Sequence, residues 1–127
     1  MNSLNSLIIE GNLVKDCQLT ENNGFKVAKF TVAVNRSYKN SANEFVDEVS
    51  FFDCEGYGNL AETLAKYGSK GRGVRLVGRL KQNRWKDANG KAQSKIIVVI
   101  EHCEFKPQKA QNSTIEQTEE QNEEVCF

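Results

Sequence analysis

The chain of 127 residues has a single histidine, His102, and its four cysteines, Cys17, Cys54, Cys103 and Cys126, never form a C-x-x-C pair. Zinc sites need four such donors at close, paired spacings, so no metal and no cofactor is expected. Clustered carboxylates are also missing. Asp53 and Glu55 have no further acid beside them in a strand-like stretch, and His102 stands alone. Phosphodiester hydrolysis usually requires grouped carboxylates or a placed histidine, so an enzyme such as a small nuclease is not the expected reading. No apolar run approaches the length of about 18 residues that a membrane-spanning helix needs. The opening "MNSLNSLIIEGNL" has neither the basic start nor the long apolar stretch of a signal peptide. A cytoplasmic protein with no membrane partner is the expectation, and the N-x-S/T matches at Asn35 and Asn112 then carry no weight.

Acidic residues are scarce in one region in particular. Between Lys66 and Lys95 there are ten lysines and arginines and one acid, Asp87. The formal net charge is zero, yet all 17 cations precede Gln111 and five glutamates follow it, leaving a body near +5 and a tail near −5. Such a split points to a polyanion-binding body with an acidic tail.

Five stretches read as strands: Leu7–Leu13, residues 26–34, residues 45–57 (bulged or bent near Gly56), residues 69–85 and residues 94–105. The last is apolar enough to be buried on both sides. "DANG" (87–90) is a turn signal between the last two strands. One helix is predicted over 59–68, with Asn59 as cap, Glu62 completing a capping box and Gly68 at its end. Three strands, a short helix and two more strands make the fold class all-β: a five-stranded Greek-key barrel, the OB-fold, with one short helix between the third and fourth strands. The barrel should occupy 1–107. Residues 108–127, rich in Gln, Asn and Glu, are expected to form a disordered acidic tail.

Period-2 alternation then sorts the fourth strand. Val74, Leu76, Gly78 and Leu80 share the inner face, while Arg75, Val77, Arg79, Lys81, Asn83 and Trp85 share the outer one unless a bulge intervenes. In the third strand Phe52 and Cys54 point in, and Phe51 and Tyr57 point out. Tyr38 follows the second strand, between Arg36 and Lys39. Outward rings interleaved with cations suit unpaired nucleic acid. Each base has a π-face, stacking is worth about 1–3 kcal/mol per base, and the cations follow the phosphates and release counterions.

On those residues, the chain resembles the bacterial single-stranded DNA-binding protein family, the homotetrameric OB-fold type. The resemblance covers about residues 4–105 and the last few. It is carried by "NSLIIEGNLVKD", "NGFKVAKFTVAVNRSY", "YGNLAETLAKYGSKGRGVRLVGRLK" and "RWKDANGK", in that order, and by the ending "EEQNEEVCF". The resemblance implies DNA-stacking rings at Tyr38, Phe51, Tyr57 and Trp85. It implies phosphate contacts at Lys70, Lys81 and Arg84, to which proximity adds Arg79 and Lys86. It further implies a non-catalytic homotetramer, cytoplasmic and nucleoid-associated, that coats single-stranded DNA in replication, recombination and repair. A tip of Glu123, Glu124, Val125, Cys126 and Phe127 would bind partner enzymes, its apolar end in a pocket and its acids on a basic rim. A primosome accessory protein or recombination paralogue would use the same barrel, and the terminal Phe127 counts against the former. The chain departs from the pattern at its tip, where glutamates and Val125-Cys126 replace aspartates and a proline. It also departs at Asn59, at Glu10 and at Gly56, and in its short linker.

Overall fold

The computed structural model describes residues 2–107. The acidic tail and the tip Glu123–Phe127 therefore lie outside the described residues. The described residues form six strands and one helix: β1 Leu7–Leu13, β2 Gln18–Asn22, β3 Phe25–Lys39, β4 Phe45–Tyr57, α1 Asn59–Tyr67, β5 Gly73–Lys86 and β6 Ala92–Phe105. They hydrogen-bond in the order β1-β5-β6-β4-β3-β2. A second pairing of β1 with β3, Asn12 opposite Ala33 and Leu13 opposite Val32, closes the barrel. The core holds Leu13, Ala28, Phe30, Val32, Cys54, Val74, Leu76, Val98, Ile100 and Phe105, with Ala61 and Leu64 of α1 covering one end. Among the described residues no helix is long and apolar enough to cross a membrane.

The expected all-β barrel with its helix is what forms, with the helix between β4 and β5. The strand β2 is an addition. "QLTEN" is exposed at every position and has no apolar alternation to reveal it. The available signal was the Asn23-Gly24 pair, whose positive φ values of 54° and 82° form a two-residue turn joining Asn22 to Phe25. The capping box at Asn59 does not form. Gly58, at φ 67°, is the N-cap and no side chain caps the helix; Glu62 is drawn instead into an ion pair with Lys26. Gly68 stands at the C-cap itself, its N–H donating to the Leu64 carbonyl at 2.8 Å.

β4 is not bulged at Gly56. Its pairing with β3 runs unbroken from Tyr57 opposite Val27 to Phe45 opposite Lys39. Glycine is needed there for space: a Cβ would lie 2.4 Å from Leu64 Cδ1. The one irregularity is on β6, where His102 faces Val77 but Ile100 faces Gly78, leaving Glu101 as the extra residue. Here the backbones crowd, and a Cβ on Gly78 would meet the Val99 carbonyl oxygen at 2.2 Å. Because the bulge sits on the partner strand, the alternation of β5 is undisturbed. As expected, Ile97, Val98, Val99 and Ile100 are all buried, so both faces of β6 are covered here.

Two inward assignments fail. Leu80 is 47% exposed and Phe52 39%. Both have the inner parity and lie opposite core residues, Leu80 opposite Val98 and Phe52 opposite Val32. Their side chains nevertheless stay part exposed, because parity alone cannot bury a side chain.

Candidate nucleic-acid interface

Cross-strand pairing places the odd-numbered residues of β5, β6, β4 and β3 in rows across one surface. Arg79 faces Val99, Val99 faces Glu55, and Glu55 faces Lys29. One row on, Lys81 faces Ile97 and Asp53 faces Thr31. Phe51 lies opposite Ala33, Tyr57 opposite Val27 and Trp85 opposite Gln93. Three of the four sequence-predicted rings, Phe51, Tyr57 and Trp85, thus share the outward parity with Arg79 and Lys81. Phe51 is 60% exposed and Trp85 48%. Trp85 borders a concavity that Gln82, Arg84, Lys86, Ala92, Gln93 and Ser94 complete. Tyr38 differs. It belongs to β3, pairs with Val46, and has the parity of Phe30 and Val32, so it lies on the other side of the β3–β4 ribbon from Phe51. Its ring is exposed, with the Arg36 guanidinium carbon 4.7 Å above it.

Tyr57 is half-buried. Its hydroxyl donates to Glu55 Oε1 at 2.8 Å, and burial, then that bond, pushes its pKa up to about 12. The ring therefore stays a neutral phenol at any physiological pH and presents no charge to a phosphate. Asp53 lies on this surface opposite Thr31. A bond from Lys95 Nζ at 2.7 Å and one from the Thr31 hydroxyl at 2.6 Å hold its carboxyl below the usual range. The ionised Asp53 is thereby neutralised by Lys95. Cys54 beneath them is buried as a small hydrophobe, and its thiol is pushed up to about 12.

The cations divide into two sets. Lys70, Lys81 and Lys86 make no ion pair among the described residues, so their charge is available to a ligand. Lys70 sits in a loop tied to the barrel, its own N–H bonded to Asp16 Oδ1 at 2.7 Å and the next N–H, of Gly71, to the Leu13 carbonyl at 2.8 Å. Arg79 is 3.6 Å from Glu101 Oε2, and Arg84 donates through Nε and Nη2 to Gln82 Oε1 at 3.3 and 3.1 Å. These two would exchange an intramolecular partner for a phosphate. Sequence reasoning missed Lys29, which shares the row of Arg79 and is also without an ion pair among the described residues. It lies outside the basic run that drew the reading to β5.

The β5–β6 arm that bears Trp85 is closed by a loop organised around Asp87. Its Oδ1 accepts from the N–H groups of Asn89 and Lys91, both at 2.9 Å, and its Oδ2 accepts from Gln93 Nε2 at 3.1 Å. The Lys91 N–H is the largest cause holding this carboxyl below its ordinary 3.8. A depressed native pKa means the unfolded chain binds the proton more readily. The contribution to the loop is therefore complete above the ordinary carboxylate range and lost as pH falls through the depressed native value. The amide resonances of Asn89 and Lys91 are expected to titrate together with a midpoint below 3.8. A midpoint at or above that value would contradict the geometry.

A barrel of this order, carrying rings and cations on one outer face and no grouped catalytic side chains among its described residues, defines an OB-type binding domain. Comparison with known proteins makes the assignment specific. Residues 4–106 match the single-strand binding protein family, and the chain belongs to that family. It is 42% identical over 100 residues to a single-stranded DNA-binding protein of Aquifex aeolicus, covering 78% of this chain and 67% of that one. It is 34% identical over 107 residues to the protein of that name from Borreliella burgdorferi, covering 83% and 71%. Among solved structures, the Plasmodium falciparum SSB in complex with ssDNA superposes with a TM-score of 0.76 at 24% identity, over 83% of this chain and 97% of that one. At that identity the likeness speaks for the fold. Family membership makes the protein a binding protein, not an enzyme.

Proposed function

We propose that the protein coats single-stranded DNA with little sequence preference during replication, recombination and repair. It does so as a cytoplasmic, nucleoid-associated homotetramer, and it recruits partner enzymes through the tip Glu123–Phe127. The observation that carries the binding reading is the exposure of Phe51 and Trp85 on the face that also presents Lys81. A duplex hides its base faces, so solvent-facing rings have nothing to stack on there. An unpaired strand offers one π-face per nucleotide. Phosphates would be held by Lys70, Lys81 and Lys86, with Arg79 and Arg84 released from Glu101 and Gln82. Tyr38 would stack a base on the far side of the β3–β4 arm, which suits a strand that wraps the barrel.

Self-association is supported at β1. From Leu7 to Gly11 its edge away from β5 has no partner strand among the described residues, and Ile8 is 69% exposed. An open edge is a template for a second strand. Glu10 does not oppose this, because Arg75 at 2.7 Å and Lys106 at 3.2 Å already neutralise it.

The test is the intrinsic fluorescence of the one tryptophan during titration with oligo-dT and with duplex of equal length. Quenching by oligo-dT alone, with log affinity falling by about 0.7 per phosphate contact per decade of salt, is the expected outcome. An absence of binding at low salt would sink the reading.

A further inference from the structure

Phe25 is a large ring where a hairpin usually carries a polar residue. It is the first residue after the Asn23-Gly24 turn, faces Asn22 across β2, and is 54% exposed. Its ring lies 5.8 Å from that of Tyr57, centroid to centroid, and is tilted from it by only 23°. This is the offset-stacked arrangement that aromatic pairs favour. Strand alternation explains the meeting. Phe25, Val27 and Lys29 share one face of β3, and Val27 pairs with Tyr57, so Phe25 is the diagonal neighbour of Tyr57 on the outer surface.

We infer that Phe25 is an additional base-stacking platform, which continues the surface of Phe51 and Tyr57 beyond the barrel onto the β2–β3 hairpin. The inference rests on the proposed single-stranded DNA binding and extends it to a subsite for one more unpaired nucleobase. Three features favour a base over a core role. One face of the ring is backed by Tyr57, so the ring is held in place while half its surface stays in water. The two-residue turn with both central residues at positive φ is short and stiff, so little entropy is lost when a ligand settles on the ring. Lys29, four residues along the same face and about 13 Å away at 3.3 Å per residue, supplies an unpaired cation between Phe25 and Phe51. A strand running along this surface meets Phe51, Lys29, Tyr57 and Phe25 in turn.

The experiment uses the full chain and fluorescein-labelled oligo-dT read by anisotropy. Phe25→Ala and Phe25→Leu are each expected to weaken binding about five- to hundredfold, the range of one lost stack. The thermal midpoint of Phe25→Leu should stay at the wild-type value. Leucine keeps the apolar bulk against Tyr57, so wild-type affinity for Phe25→Leu would show a packing role and overturn the inference. In a second measurement Phe25→Trp is combined with Trp85→Phe, which moves the fluorophore to the hairpin. Quenching of that protein by saturating oligo-dT supports the subsite, and unchanged emission at saturation refutes it. If wild-type protein binds and its Trp85 is quenched while position 25 stays silent, only this inference falls. If wild-type protein does not bind at all, the proposed function falls with it.

Discussion

Trp85→Ala is expected to weaken oligo-dT binding by about five- to hundredfold while leaving the protein folded and its salt dependence unchanged. The ring is 48% exposed on an arm outside the barrel, so its removal opens no core cavity and the thermal midpoint should barely move. The lost energy is that of one stacked base. Lys81 and Lys86 remain, so the count of phosphate contacts, and with it the slope of log affinity against log salt, should stay as it was. Lys81→Gln should do the reverse, lowering the slope by about 0.7 with a smaller loss at high salt. The two variants separate stacking from charge. Equal salt slopes for Trp85→Ala and wild type with affinity also equal would place the bases elsewhere and leave Trp85 as a solvent-facing ring of the arm.

The largest effect on stability is expected at Leu64. It is 2% exposed on α1, and the helix lies over the end of the barrel with Leu64 against the backbone of Gly56. Leu64→Ala removes buried methyl groups from a site closed on all sides, at a cost of about 2–5 kcal/mol. Gly56→Ala is also expected to destabilise the fold, because its Cβ would stand 2.4 Å from Leu64 Cδ1. A buried leucine cannot swing aside, so the strain passes to the helix, at about 1–3 kcal/mol. In the double variant the new methyl enters the space that Leu64 vacates, and the two losses should sum to less than their separate values. Denaturant midpoints of the four proteins measure this coupling. Strict additivity would mean that Gly56 and Leu64 do not share the space the geometry gives them. Tyr57 adjoins Gly56, so a shifted helix should also lower oligo-dT affinity.

Much of the site was legible because it follows from local rules. Phe51, Tyr57, Trp85, Arg79 and Lys81 share a face by pleat parity, and that needs no knowledge of what lies beneath. The absence of a bulge on β5 was the one condition, and it holds because the bulge fell on β6 at Glu101. Lys29 and Phe25 were harder to see. They lie on β3, some forty residues before the basic run opens at Lys66, and only strand pairing through β4 and β6 carries them to the same surface as β5. The Asn23-Gly24 turn could have announced the hairpin, but nothing in "QLTEN" marks it as a strand, because an edge strand with both faces in water needs no apolar pattern. Asn59 and Glu62 matched the spacing of a capping box. The helix nevertheless begins one residue earlier than that motif requires, since Gly58 can take a left-handed φ that Asn59 would adopt at a cost, and Lys26 then claims Glu62.

The sequence by itself determined the class of barrel, the place of its helix, the two-faced character of β3 and β5, and the charge split that points to a polyanion. These follow from periodicity and composition, which are properties of the chain alone. The tertiary structure decided where inward parity stops meaning burial, as at Leu80 and Phe52, which stay part exposed beside the buried Val98 and Val32. It also decided which cations stay unpaired, since Glu101 meets Arg79 and Asp53 meets Lys95 only through strand pairing. Last, it decided that Tyr38 lies on the opposite side of its arm from Phe51. Their separation is set by which residue of β3 faces which residue of β4, and a register between distant strands is not written in either one.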